Sequence, residues 1–461
     1  MRLVRQTQQL PCGADREHGR HRGRDREREG DRERGPEPGP VRPCGRGPAG
    51  GGGRPRPPPD TGHARDPRLR RAAAQPGVKG KVYAGYQGWF AAKGDGSPLN
   101  AWTHWASGTP APGNETFELY PDVSAYPDSA LFQTGYAALG NGEPARLFSS
   151  YATAVIDQHF KWMQQFGIDG AALQRFGSDI AATGQPRLQQ RDDIHGKARD
   201  AAQKYGRAFY IEYDISGLSD TNLVSALQSD WTNTVTGSLH LTDSPLYAHE
   251  GGKPVVELWG LGVTNRAGTV ESCLEIINWF KDKGVYVIGG VPRGWRTDSN
   301  AKAGFAPVYA ALNMVSPWNT GNPTVDQQLF DDDHAQLSAN GQDYQPVIYP
   351  GFAWSNWHAG QARNQIPRKA GDFMWQQAVA VRKCGTNSAF IAMFDEYDEG
   401  TAIAPAAEDA SMIPSNQYFL TLDADGTHVS SDFYLRLAGA ATKMINGSTG
   451  ISTTVPIPPT D

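Results

Sequence analysis

Two glutamates stand three residues apart in the run Phe394-Asp395-Glu396-Tyr397-Asp398-Glu399-Gly400-Thr401. Carboxyl groups held close together repel when both are charged, so one tends to keep its proton near neutral pH while the other ionises. That division supplies one acid and one base. With a rigid aromatic surround, such a pair suits the cleavage of glycosidic bonds. On a straight strand, residues i and i+3 face opposite ways, so Glu396 and Glu399 converge only if the chain bends just after Glu396. Asp398 and Gly400 are residues that favour such a turn.

The pair must be positioned by the segment before it, an apolar strand at 389–394. Seven more strand-like runs precede it, at 82–90, 170–176, 208–214, 254–259, 285–290, 314–318 and 346–350. Helical spacing of apolar residues predicts helices over 152–166, 269–282, 370–383 and 432–445. Short apolar strands alternating with helices call for a parallel sheet, and eight units favour a closed ring over an open one. The expectation is an α/β protein: a (β/α)8 TIM barrel with long loops at the C-terminal face of its strands. In such a barrel all strand ends open at one mouth, where the chemistry sits.

Collecting the strand ends places Trp89, Phe176, Glu212, Asp214, Trp259, Arg293, Trp295, Trp318, Trp354, Trp357 and His358 around Glu396 and Glu399. Flat aromatics offer stacking faces to the C–H surfaces of sugar rings, so a carbohydrate is the expected partner. Tyr86, His104, Trp105 and Tyr397 complete the predicted binding set. No G-x-G-x-x-G or Walker loop follows the first strand, which argues against a nucleotide site. No Gly-x-Ser-x-Gly elbow and no His-Glu-x-x-His helix is present. Asp423-Ala424-Asp425-Gly426 reads as a β-turn rather than a calcium loop, and Asp331-Asp332-Asp333-His334 as a solvated loop. No metal and no cofactor is expected.

Composition divides the chain. The first 82 residues of 461 contain no Phe, Trp or Tyr. Residues 1–76 carry a balance of +8 in a chain of net charge −5, leaving −13 on the remainder. Residues 1–77 are therefore expected to be a disordered Arg/Gly/Pro-rich segment: a basic tail, a linker, or a mis-called start whose true export signal is missing. Residues 78–448 form the expected catalytic domain and 449–461 a C-terminal tail. An acidic folded part speaks against nucleic acid as partner, and no run of about 18 apolar residues spans a membrane. Cys12 and Cys44 lie in that basic segment; Cys273 and Cys384 are far apart, lack metal-type spacing and read as buried free thiols. A monomer, secreted or at the cell surface, is expected.

The strand-8 run resembles the hallmark of the glycoside hydrolase family 71/99-like group, most of all family 99, the endo-α-mannosidases. That hallmark reads Glu-Trp-x-Glu-Gly-Thr-x-Ile; here it is Glu396-Tyr397-Asp398-Glu399-Gly400-Thr401-Ala402-Ile403. His104-Trp105, Tyr120-Pro121, Ile211-Glu212-Tyr213 and Gly252-Lys253-Pro254-Val255-Val256 extend the similarity over most of residues 80–405. The resemblance implies a retaining, endo-acting glycoside hydrolase for α-linked glycans, with α-mannan as the first substrate and α-1,3-glucan as the second. It implies that Glu396 deprotonates the sugar 2-hydroxyl for attack on the anomeric carbon, that Glu399 is the acid/base, and that Glu212 touches the reacting sugar. Tyr397 replaces the family's Trp and Ala402 its usual Gln. The rival expectation is a carbohydrate-binding protein on the same barrel without turnover.

Overall fold

The computed structural model describes residues 75–181 and 184–460. All but the end of the expected basic segment lies outside them. Eight parallel strands are β1 (Val82–Tyr86), β2 (Gly170–Phe176), β3 (Ala208–Asp214), β4 (Lys253–Trp259), β5 (Tyr286–Pro292), β6 (Met314–Trp318), β7 (split into Asp343–Tyr344 and Val347–Ile348) and β8 (Ala389–Ile391). The main helix after each is α1 (Thr153–Phe166), α2 (Pro186–Tyr205, after a short helical turn at Gly177–Ala181), α3 (Leu223–Asp230, continued by a π-helix at Trp231–Ser238), α4 (Val270–Asp282), α5 (Ala306–Ala310), α6 (Gln327–Ala339), α7 (Asp372–Lys383) and α8 (Phe433–Ile445). This is the expected (β/α)8 barrel.

The ring closes through β7. Its first half pairs with β6 and its second half with β8. At the break, the Gln345 N–H donates to Val315 O at 3.0 Å, and Phe390 N–H donates to Pro346 O at 2.9 Å. Pro346 has no N–H to offer either neighbour, so the strand changes partner where its ladder is already interrupted.

Local signals account for the helix limits. Gly167 ends α1 in the left-handed region at φ 79°, its N–H bonded to Met163 O. Pro186 opens α2, where a missing N–H is harmless, and Gly206 closes it. Thr269 and Ser272 form a reciprocal capping box at the start of α4. Two expectations need correction. The run Asp331–His334 lies in α6, not in a solvated loop, and Asp333 is buried, binding Arg296 and Tyr344. Pairing also stops earlier than expected, at Tyr86 in β1 and at Ile391 in β8. Residues 449–460 carry no regular element, yet they dock on the barrel: Trp375 Nε1 donates to Ser452 O and Ser430 N–H to Pro459 O.

Alternation along the strands separates lumen from helix layer. Gln174, Glu212 and Glu257 are register neighbours on β2, β3 and β4 and share the inner face. Residue Arg175, one step on, faces outward. It is fully buried and bonds Asp230 through Nε and Nη2 and Asp192 through Nη1. Tyr213 OH also donates to Asp230. This network fastens β2 to α2 and α3. Arg175→Leu leaves the buried Asp230 carboxylate without its cation, a loss of about 3–5 kcal/mol. Urea unfolding should show a lower midpoint at unchanged slope; an unchanged midpoint would refute this role.

Candidate active site

Beyond β8 the chain bends at once into a turn over Tyr397–Gly400. Gly400, at φ 61°, returns its N–H to Tyr397 O, and the N–H groups of Thr401 and Ala402 both reach Glu396 O. From outside, Tyr397 O accepts from Glu118 and Leu119, and Glu399 O from Ala353. Arg368 Nη2 clasps Gly400 O and Ala402 O, each at 2.8 Å. The turn is thus held from both sides, and it bends where convergence of Glu396 and Glu399 requires.

Four carboxyls crowd this turn. Asp395 is fully buried and accepts the N–H groups of Gln87 at 2.7 Å and Gly88 at 2.9 Å, which join the exits of β8 and β1. Burial nevertheless pushes its pKa up to about 6. Glu396 accepts Gln87 Nε2 on one oxygen (2.9 Å) and Asp398 N–H on the other (3.1 Å). Burial, then the charges of Glu399 and Asp395, hold it well above the ordinary carboxylate range. Asp398 is raised likewise, by burial and then by Glu396 and Glu399. Glu399 is half-buried at the surface of the cluster, and desolvation lifts it to about 7. So many carboxyls cannot all ionise at neutral pH. N–H donors favour the ionised form, and Glu396 has one on each oxygen, which opposes the effect of its burial.

The flank is aromatic. His104 Nδ1 meets Asp398 Oδ2 at 2.8 Å. Its imidazole stacks on Trp89 at 3.8 Å and 7°, and Trp89 stacks in turn on Phe176 at 5.2 Å. The Arg191 guanidinium lies 5.4 Å from the Phe176 ring centre. Burial, then the charges of Arg187 and Arg191, keep His104 neutral, well below its ordinary pKa. Opposite, Trp259 and Trp318 meet edge to face at 5.3 Å on the ends of β4 and β6. Gly290 makes room: a Cβ there would lie 2.6 Å from the Trp259 ring. The floor beneath is polar. Gln174 Nε2 donates to Glu212 Oε1 at 3.2 Å, and Tyr210 OH to Glu257 Oε2 at 2.9 Å.

The predicted site residues therefore divide. Glu396 and Glu399 share one turn with His104 beside it; Glu212 lies on the barrel floor; Asp214, Trp259 and Trp318 end the inner faces of β3, β4 and β6. Asp214 is held by Ser216 through its N–H and hydroxyl. Other members of the set are core residues. Tyr86 points outward to α1, its hydroxyl on His159 Nδ1. Trp105 is wholly buried, with Nε1 on Phe148 O, and packs on Phe90. Tyr397 is wholly buried against Phe90, Trp105 and Phe148, its hydroxyl on Pro405 O. Trp295 packs on Tyr309 of α5, and Trp354 lies buried under His358. Trp89 is nearly buried between its two stacking partners and offers little open face. Residues not singled out beforehand complete the site: Gln87, Asp395 and Asp398 at the turn, Gln174 and Glu257 on the floor. A polar residue on the inner face of a parallel strand was the available signal for the last two. Among the described residues no cluster has the makings of a metal site, and Cys273 and Cys384 are free thiols.

No protein-family model and no curated protein matches the sequence. Solved structures do match. A family GH99 endo-alpha-mannosidase from Bacteroides thetaiotaomicron, in complex with BIS-TRIS-propane, superposes with a TM-score of 0.58 over 80% of this chain and 98% of that one, at 14% identity. A second structure of the GH99 enzyme from that organism gives 0.56, covering 81% and 100%, again at 14% identity. The likeness is one of fold.

Raised carboxyl pKa values have a consequence for stability. Asp395 (about 6), Glu257 and Glu399 (each about 7) bind protons more tightly in the folded chain than in the unfolded one. Between about pH 4.5 and pH 7 the native state therefore holds more protons, and stability falls as pH rises through that window. Urea midpoints measured across it should decline; a rise would contradict the protonated cluster.

Proposed function

We propose that this protein is a glycoside hydrolase acting on α-linked poly- or oligosaccharide, endo-acting and retaining, with α-mannan favoured over α-1,3-glucan. The observation that carries the reading is the buried turn at the end of β8. It gathers Glu396 and Glu399 at the barrel mouth, opposite the Trp259–Trp318 pair. The fold shared with the GH99 endo-alpha-mannosidase supports it.

The two glutamates differ in the way the reaction requires. Glu396, gripped by Gln87 and the Asp398 N–H, is oriented as a base. In this reading it takes the proton of the sugar 2-hydroxyl, whose oxygen closes on the anomeric carbon as the glycosidic bond breaks. Glu399, at about 7, still carries a proton at mildly acidic to neutral pH and gives it to the leaving oxygen. It then draws a proton from the water that attacks the anomeric carbon and reopens the anhydro ring, while Glu396 returns its proton to the released 2-oxygen, so both glutamates are restored and the anomeric configuration is retained. Asp398 and His104 brace the turn from the side. The Trp259 and Trp318 rings offer the sugar an apolar wall, and Glu212 a polar floor.

Incubation with α-mannan, α-1,3-glucan and mixed polysaccharides, with products read by mass, tests substrate and turnover together. Binding without product release would overturn the hydrolase reading in favour of a carbohydrate-binding protein. Glu399→Gln should lower kcat about 10²- to 10⁴-fold in a protein that still folds. In the wild type, kcat/KM should fall as pH rises past about 7, where Glu399 loses its proton. A Glu399→Gln variant that keeps most activity removes Glu399 from the acid/base role.

A further inference from the structure

The floor of the barrel holds a second carboxyl pair. Glu212 and Glu257 are register partners on neighbouring parallel strands, and both are almost wholly shielded from solvent. Backbones so paired lie about 4.8 Å apart, so two glutamates on the same face stand side by side. Each has one oxygen engaged by a donor: Glu212 Oε1 by Gln174 Nε2, and Glu257 Oε2 by Tyr210 OH. Glu212 Oε2 is buried and has no donor from the protein. A buried carboxylate oxygen without a donor carries a heavy desolvation penalty, and two adjacent buried carboxylates a larger one.

We infer that Glu257 is a positioning residue that shares a single proton with Glu212, bridging Glu212 Oε2 to the Glu257 carboxyl. One proton resolves both difficulties. It gives the orphaned oxygen a partner and reduces the floor from two negative charges to one. The chain Gln174–Glu212–Glu257–Tyr210 is then fully hydrogen-bonded and holds Glu212 in one orientation. The surrounding groups agree. Tyr210 packs on Tyr83 of β1, Gln174 also reaches Met393 after β8, and Asp214 on β3 adds negative charge that favours keeping the proton. Arg266 is a cation that acts on Asp214. Burial, with the charges of Glu257 and Asp214, raises Glu212 well above its ordinary range, and burial lifts Glu257 to about 7.

The inference rests on the hydrolase reading only for its consequence: Glu212, itself shut off from solvent, sets the charge beneath the sugar, and Glu257 acts through it. One fixed negative charge on the floor then faces the positive charge that develops on the sugar ring. The pair itself is tested without activity. Neutron diffraction from crystals near pH 6 should show one deuteron between Glu212 and Glu257; two carboxyls with no shared deuteron, or with their facing oxygens beyond hydrogen-bond reach, would overturn the inference. Glu257→Gln supplies a permanent N–H to Glu212 and still accepts from Tyr210. It should keep kcat within about threefold of wild type, whereas Glu257→Leu should lose about 10- to 100-fold, the worth of a hydrogen bond to a charged group. Glu257→Gln should also flatten part of the decline in stability between about pH 4.5 and pH 7, because one raised carboxyl is gone. Equal loss in the Gln and Leu variants, or an undiminished pH slope in Glu257→Gln, would also count against it. If no substrate is found, the diffraction and stability measurements still decide the pair, while turnover alone decides the hydrolase.

Discussion

The Asp395 carboxylate joins the last strand of the barrel to the first. By taking the N–H groups of Gln87 and Gly88, it ends the ladder between β1 and β8 and substitutes a side chain for the strand partner. Both strands then leave the sheet at the same level. This brings the Gln87 amide over the turn to hold Glu396. The position of the proposed base thus follows from the closure of the barrel. A buried carboxylate that accepts two backbone N–H groups offsets part of its own desolvation, so a charged residue is tolerated here.

The rest of the mouth is organised by competition for a dry interior. Carboxyls placed close together in low-polarity surroundings retain protons, and the retained protons are what make acid chemistry available near neutral pH. The same physics acts twice, at the turn after β8 and on the floor between β3 and β4. Glu399 at the rim is half-exposed, while Glu212 and Glu257 below are both shut in. Identical side chains thus differ in role by depth alone.

Aromatic residues divide by the same criterion. Trp105 and Tyr397 form the core beneath the loops that carry His104 and the carboxyl turn. Tyr397 stands where the resembling family has Trp, and its ring faces Phe90, Trp105 and Phe148, away from the mouth. That substitution therefore bears on how the turn is seated. Trp259 and Trp318 remain as a pair of rings at the ends of β4 and β6.

Periodicity alone determined the barrel. Apolar runs at 170–176, 208–214 and 314–318 coincide with β2, β3 and β6, because strands buried on both faces announce themselves without tertiary context. The Glu396–Glu399 pair and its turn were legible too, since Asp398 and Gly400 encode a bend locally. Helix α6 was not, because Asp331, Asp332 and Asp333 look solvated until Arg296 and Tyr344 arrive from distant segments to pair Asp333. Only the tertiary structure decided which aromatics line the mouth and which fill the core. A tryptophan has the same composition signal in either place, and its orientation depends on neighbours far away in the chain. The proton shared by Glu212 and Glu257 has the same origin: residues 45 positions apart become adjacent only through the register of β3 on β4.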